Sequence, residues 1–168
     1  MIKCVFLDRD GIINKDTGYF YNYKKIIWNQ DIFKTIKFIK KKKIKISVVT
    51  NQSGIARGYY KEKDVIKLHK QMNDYIYKKT GYKIDNFQYC PFLKNGKIKK
   101  YRKNSYYRKP NPGMINFYIK KEKLKKEECL LFGDRFIDIM CAKKAGIKGF
   151  LLKNNNFYKF IKRKILDN

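Results

Sequence analysis

The chain has 168 residues, and its 42 basic against 14 acidic side chains give a formal net charge of +28. That length suits one domain, able to bury roughly 70% of its unfolded surface without staples. No apolar run approaches the roughly 20 residues of a membrane helix, and MIKCVFLDRD turns charged too early for a secretory signal.

Four cysteines, Cys4, Cys90, Cys129 and Cys141, stand far apart without a C-x-x-C pair. This is the pattern of reduced thiols in a cytoplasmic protein rather than of a disulfide framework. Only six of the basic residues are arginine: Arg9, Arg57, Arg102, Arg108, Arg135 and Arg163. The rest are lysines, scattered rather than gathered in a stripe, and Lys, Ile, Asn, Tyr and Phe share A/T-rich codons. The charge therefore reads as compositional bias bearing on solubility, with no specific nucleic-acid partner and no membrane partner.

The apolar run at 3–7 is a short strand. Residues 31–42 place Ile32, Phe33, Ile36 and Ile39 on one helical face, and the β-branched run 44–50 is a second strand. Residues 61–80 carry Val65, Leu68, Met72 and Ile76 at helical spacing, with Gly81 in the C-cap position. A third strand follows at 84–90, then a loop from 91 to 112, a helix at 113–121, a strand at 129–132, a helix at 137–145 ended by Gly146, and a strand at 149–152. A last helix is expected from residue 154, with Phe157, Phe160, Ile161 and Ile165 inward. The alternation argues for an α/β, doubly wound three-layer sandwich with a mostly parallel five-stranded sheet and no large cap, forming one domain over 1–168. No repeat or linker interrupts it.

Four polar clusters fall at or beyond the candidate strand ends: DRDG at 8–11, TNQSG at 50–54, RKP at 108–110 and GDRFID at 133–138. Ligands of such folds bind beyond the carboxyl ends of the strands. One Asp after a strand is ordinarily a turn or a cap; four clusters meeting on one edge are not explained by turn chemistry. Clustered carboxylates repel unless a cation sits among them, and hard oxygen donors suit Mg²⁺. Arg108 and Lys109 favour an anionic substrate. If extended backbone continues through residue 10, Asp8 and Asp10 face one way and Arg9 the other. One carboxylate is then free to attack and the second to handle a proton, while Gly11 lets the chain turn away. The lone histidine, His69, lies beside Leu68 and Met72 and reads as a partly packed surface residue without a catalytic partner.

Taken in order, D-x-D-G, Thr50, Lys109 and G-D-x-x-x-D resemble the four motifs of the haloacid dehalogenase superfamily of phosphotransferases. FLDRDGIIN at 6–14, DTGY at 16–19, VVTNQSGIARG at 48–58, YCP at 89–91, RKPNPGM at 108–114 and FGDR at 132–135 are similar to its heptose bisphosphate and histidinol-phosphate phosphatases. SGIARG and NPGM favour the heptose branch, which belongs to bacterial lipopolysaccharide precursor synthesis. The resemblance implies an Asp8 nucleophile that forms an aspartyl-phosphate, and an Asp10 that protonates the departing oxygen and then activates water. It implies Mg²⁺ held by Asp8, the backbone carbonyl of Asp10 and Asp134, with Asp138 in support. Thr50 and Lys109 would stabilise the transferring phosphoryl group. Asp16, Thr17, Gly18, Tyr19, Asn51, Gln52, Ser53, Arg108 and Arg135 would contact a small phosphorylated sugar bound to a monomer. Asp16, Asn51 and Gln52 are equally open to a reading as loop braces.

Two departures stand out. Ile12 replaces the usual Thr after D-x-D-G. Relatives carry a four-ligand zinc clip in the loop, where this chain has Cys90, Phe92, Ser105 and Tyr107; a tetrahedral site needs all its ligands, so no zinc is expected. Tyr101, Tyr106 and Tyr107 are then the candidates to hold the loop by packing. Rival functions are a histidinol-phosphate phosphatase, a polynucleotide 3′-phosphatase, and a non-catalytic polyanion-binding protein on the same fold.

Overall fold

Alternate side chains of β1 (Cys4–Leu7) go to opposite faces, and both faces are dry. Val5 and Leu7 join one apolar core, Cys4 and Phe6 another. A strand buried on both faces belongs at the centre of a parallel sheet covered by helices on each side. In the computed structural model, which describes residues 1–152 and 156–168, β1 takes that place.

After β1 come α1 (Ile32–Lys41), β2 (Lys45–Asn51), the short α2 (Gly54–Arg57), α3 (Glu62–Thr80), β3 (Asn86–Cys90) and α4 (Gly113–Lys121). The chain ends with β4 (Cys129–Gly133), α5 (Phe136–Ala145), β5 (Lys148–Leu151) and α6 (Phe157–Leu166). The five strands pair in the order β3-β2-β1-β4-β5, every pairing parallel. One core lies under α1, α3 and α6; the other, under α4 and α5, includes Met114, Ile115, Tyr118 and Ala142. The amphipathic α1 fixes its own docking face, because Ile32, Ile36 and Ile39 return every three or four residues and are all buried. Full burial of each contributes roughly 1.5–3 kcal/mol.

The fold class is as the sequence implied, and boundaries shift by a residue or two. The strand expected over 84–90 starts at Asn86, where its ladder with β2 begins. The short α2 went unforeseen; four residues are too few to show a helical period. The start expected for the last helix, at 154, lies outside the described residues, and α6 runs from Phe157. Between β1 and β2 the chain makes one 3-10 turn (Tyr23–Lys25) and α1.

Strand order reverses between β1 and β4: the chain steps one way from β1 to β3, then crosses over to β4 on the other side of β1. Ligands of doubly wound sheets bind outside the carboxyl ends of the strands at such a point.

Candidate active site

Asp8 follows the last residue of β1, and its N–H donates to the Phe132 carbonyl of β4 at 3.1 Å. The ladder thus reaches one residue past the strand and aims the Asp8 side chain into a cleft of about 390 Å³ at the switch point. Oδ1 of Asp8 takes both protein donors, the Arg9 N–H at 2.7 Å and Lys109 Nζ at 3.0 Å. Lys109 is buried and also donates to Asp138 Oδ1 at 2.6 Å. Burial works against its charge, but Asp8 and Asp138 outweigh burial and hold the ammonium above its ordinary value. Burial, with Asp138 and Asp10 beside it, pushes Asp8 up to about 7 against the pull of Lys109.

Lys109 is itself held in place. The Asn51 side chain accepts from the Lys109 N–H and donates to the Lys109 carbonyl, both at 3.0 Å. Of the two readings open for Asn51, the brace is thus realised, at the rim of the same cleft. Gln52 likewise donates to Asp10 Oδ2 at 3.0 Å and to Thr50 Oγ at 2.9 Å, and accepts from the Tyr60 hydroxyl at 2.8 Å.

Asp10 shows where the alternation argument breaks. Arg9 was expected to face away from both carboxylates. Extended backbone stops before residue 10, and the fully buried Arg9 curls back to donate from Nε to Asp10 Oδ1 at 3.0 Å and from Nη2 to Oδ2 at 2.8 Å. A buried guanidinium needs a counter-ion, and Asp10 is the carboxylate in reach. Asn14 adds a fourth donor, at 3.0 Å from Oδ1. His69 is equally misplaced by the surface reading. It is buried, 3.1 Å from Arg9 Nη1 and stacked on Phe87. Its signal was present: positions 65, 69, 72 and 76 make one inward helical stripe.

Asp134 and Asp138 follow β4. Ligand oxygens of Asp8, Asp134 and Asp138 lie within 4.8 Å of one another, and burial, reinforced by Asp138, raises the Asp134 carboxyl. Oδ1 of Asp134 is buried without a hydrogen-bond partner. Gly11, at φ +91°, leaves the room: a Cβ there would fall 2.0 Å from Asp134 Oδ2.

At the mouth stand Asp16, Gly18, Tyr19, Ser53, Arg57, Arg108 and Arg135. Asp16 caps Gly18 N–H at 3.0 Å and pairs with Arg135 at 2.7 Å. Thr17, expected at the substrate, is exposed and does not line the cleft. Arg57, Tyr60 and Ile137 line it without having been singled out. Arg57 had a signal, as a scarce arginine inside the run at 48–58. Burial, together with the neighbouring Arg57 charge, lowers Arg108 from its ordinary value.

Residues 92–152 match the family model described as haloacid dehalogenase-like hydrolase. A D-glycero-beta-D-manno-heptose-1,7-bisphosphate 7-phosphatase of Rhodopseudomonas palustris is 34% identical over 162 residues, covering 96% of this chain and 89% of its own. The D-glycero-alpha-D-manno-heptose-1,7-bisphosphate 7-phosphatase of Burkholderia mallei is 38% identical over 150 residues, covering 89% and 79%. This chain belongs to the haloacid dehalogenase-like hydrolases. It is a phosphoric monoester hydrolase. Its fold is shared with the D,D-heptose 1,7-bisphosphate phosphatase of B. bronchiseptica, solved with magnesium and phosphate: TM-score 0.81, 24% identity, covering 96% of this chain and 87% of that one.

The motif resemblance implies two metals, magnesium and zinc, and they fare differently. The residues fit a divalent cation beside Asp8: three carboxylates converge, one with an orphaned buried oxygen, in a space that Gly11 keeps open. The loop after β3 does not fit zinc. Phe92 offers no ligand atom, and among the described residues the loop contributes to no cluster of three His, Cys, Asp or Glu groups. Its fastening is a carboxylate. Glu62 of α3 accepts from the hydroxyls of Tyr89 at 2.9 Å and Tyr101 at 2.8 Å, while Arg102 Nε donates to the Gly96 carbonyl at 2.7 Å. Tyr101 thus plays the bracing part foreseen for it. Tyr106 and Tyr107 are exposed, packed edge-on to each other.

Proposed function

We propose that this hydrolase removes the 7-phosphate of D-glycero-D-manno-heptose 1,7-bisphosphate through an aspartyl-phosphate on Asp8, with Mg²⁺, in bacterial heptose synthesis for lipopolysaccharide. The observation that carries the reading is the Asp8 carboxylate at the cleft floor, with both protein donors on one oxygen and the other left for attack. The names and coverage of the relatives support the substrate.

In this reading Asp8 Oδ2 attacks phosphorus and the bond from phosphorus to the sugar oxygen breaks. Asp10 gives the departing oxygen its proton, then takes one from the water that attacks the aspartyl-phosphate, and inorganic phosphate leaves. Lys109 and Thr50 hold the phosphoryl oxygens, the electrostatic work that dominates such transfers. A Mg²⁺ ion held by Asp8, Asp134 and the Asp10 carbonyl, backed by Asp138, supplies further positive charge at those oxygens. Arg57, Arg108 and Arg135 at the mouth suit the second phosphate of a bisphosphate. The loop over 91–112 takes no zinc; stoichiometric zinc in the purified protein would sink that part.

The test is Mg²⁺-dependent phosphate release from heptose 1,7-bisphosphate, histidinol phosphate and a 3′-phosphorylated oligonucleotide, with Asp8→Asn as the blank. The expected result is highest kcat/KM on the heptose, abolished in the variant. Preference for either other ester overturns the substrate, and activity surviving in Asp8→Asn overturns the nucleophile.

A further inference from the structure

Arg9 is wholly buried, and each of its three guanidinium nitrogens has a partner. Nε and Nη2 grip the two oxygens of Asp10, Nη2 also donates to the Phe20 carbonyl at 3.0 Å, and Nη1 meets His69 Nε2 at 3.1 Å. A guanidinium has only donors and keeps its charge. The ring nitrogen facing it must therefore be the bare acceptor, which places the imidazole proton on Nδ1. Burial first, and the Arg9 charge second, hold His69 well below its ordinary value, in agreement with a neutral ring. The ring plane is fixed by stacking on Phe87, with centroids 4.8 Å apart. His69 does not line the cleft.

We propose that His69 is a positioning residue for the hydrolytic reaction: as a neutral acceptor it fixes the Arg9 fork, and through it the orientation of the Asp10 carboxylate. Without His69 the buried Nη1 loses its one partner, and Arg9 is free to turn about its long stem toward another acceptor. The two bonds to Asp10 share a single plane with that N–H, so such a turn loosens both. A proton carrier displaced by about 1 Å can lose on the order of 100-fold in rate. The proposal rests on the reading of Asp10 as the group that moves the proton.

The experiment compares His69→Leu, which keeps bulk and removes the acceptor, with His69→Gln, whose amide oxygen restores one. Phosphate release is followed from heptose 1,7-bisphosphate and from p-nitrophenyl phosphate. On whichever ester the native enzyme turns over, kcat of His69→Leu is expected to fall by roughly 10-fold to 100-fold with KM within about twofold. His69→Gln is expected to recover most of the loss. A fall in His69→Gln equal to that in His69→Leu, an unchanged kcat in both, or a KM that moves in step with kcat overturns the proposal. Asp10→Asn, assayed alongside, tests the underlying reading separately: if it keeps full kcat, Asp10 carries no proton and the reading fails first. A second readout needs no variant. His69 is the sole histidine, so ring ¹⁵N–¹H correlation spectra of the Mg²⁺-loaded native enzyme at pH 7 contain one imidazole. Nδ1–H with an unprotonated Nε2 is expected; a proton on Nε2 overturns the proposal.

Discussion

Lys109 Nζ lies 2.6 Å from Asp138 Oδ1, joining the loop after β3 to the first turn of α5. Asp138 serves two structures at once, since its other oxygen accepts from the Arg135 N–H at 3.2 Å and caps the helix. Asp138→Asn keeps a cap acceptor but strips the buried lysine of one counter-ion. Loss of one partner of a buried pair costs about 3–5 kcal/mol, so thermal unfolding of this variant should drop clearly, and kcat with it. Lys109→Met should lose on the order of 100-fold to 1000-fold in kcat, as when a donor to the developing charge is removed. A Lys109→Met enzyme with native kcat would remove Lys109 from the phosphoryl site.

Gly11 is required by space as well as by backbone. Gly11→Ala sets a methyl group against Asp134 and strains a positive φ. The expected outcome is a rise of roughly 10-fold to 100-fold in the Mg²⁺ concentration giving half-maximal rate, the range seen when supports of metal ligands are altered. A Mg²⁺ titration of activity measures it, and an unchanged midpoint would argue that Asp134 is no ligand.

His69 makes stability depend on pH. The unfolded chain binds a proton there below about pH 6.5, which the folded chain resists because its imidazole is held low. Stability from this group is therefore complete above about pH 6.5 and declines as pH falls, by at most about 1.4 kcal/mol per pH unit. Denaturant midpoints between pH 5 and 8 should fall toward acid more steeply in the native protein than in His69→Gln. Parallel curves would mean that the ring titrates equally in both states.

Glu62 of α3 accepts hydrogen bonds from Tyr101 of the loop and from Tyr89 at the end of β3, and each bond to a charged group contributes roughly 1.5–3 kcal/mol. Glu62→Ala should loosen the loop that carries Arg108 and Lys109. Limited trypsin digestion reads this directly, because Lys97, Lys99, Lys100 and Lys103 are exposed there. Cleavage within 94–103 is expected to accelerate severalfold, with a higher KM. Cleavage at the native rate would assign the brace to the other contacts of the loop.

Most of the sheet was readable because β4 (CLLFG) is an unbroken apolar run and β2 (KISVVTN) is β-branched and buried through its middle, the mark of strands covered on both faces. Three of the four polar clusters were readable because each lies at or directly after the end of a strand, whereas RKP at 108–110 lies across the long loop from β3, just before α4, and was readable only from its own residues. What escaped depended on long side chains and on sequence separation. Arg9 reverses direction over five bonds to reach its neighbour Asp10, which a period-two argument cannot express. Its contact with His69 spans 60 positions. Asn51 looked like a ligand or a brace with equal right until the backbone of Lys109 was seen against it.

The sheet order has a consequence for the chain as it is made. β1 leaves the ribosome before the other four strands of its sheet, yet one of its two neighbours, β4, comes after β2 and β3. Until residues 129–133 emerge, one edge of CVFL has no native partner, and an unpaired apolar edge is a template for association with other chains. Asp134 and Asp138 arrive at the same late moment, so no growing chain holds a complete metal site before its central strand is sealed. Charged side chains flanking apolar strands are the usual guard against such association, and Lys3 on one side and Asp8, Arg9 and Asp10 on the other bracket CVFL. These charges thus bear on how the half-made enzyme stays in solution.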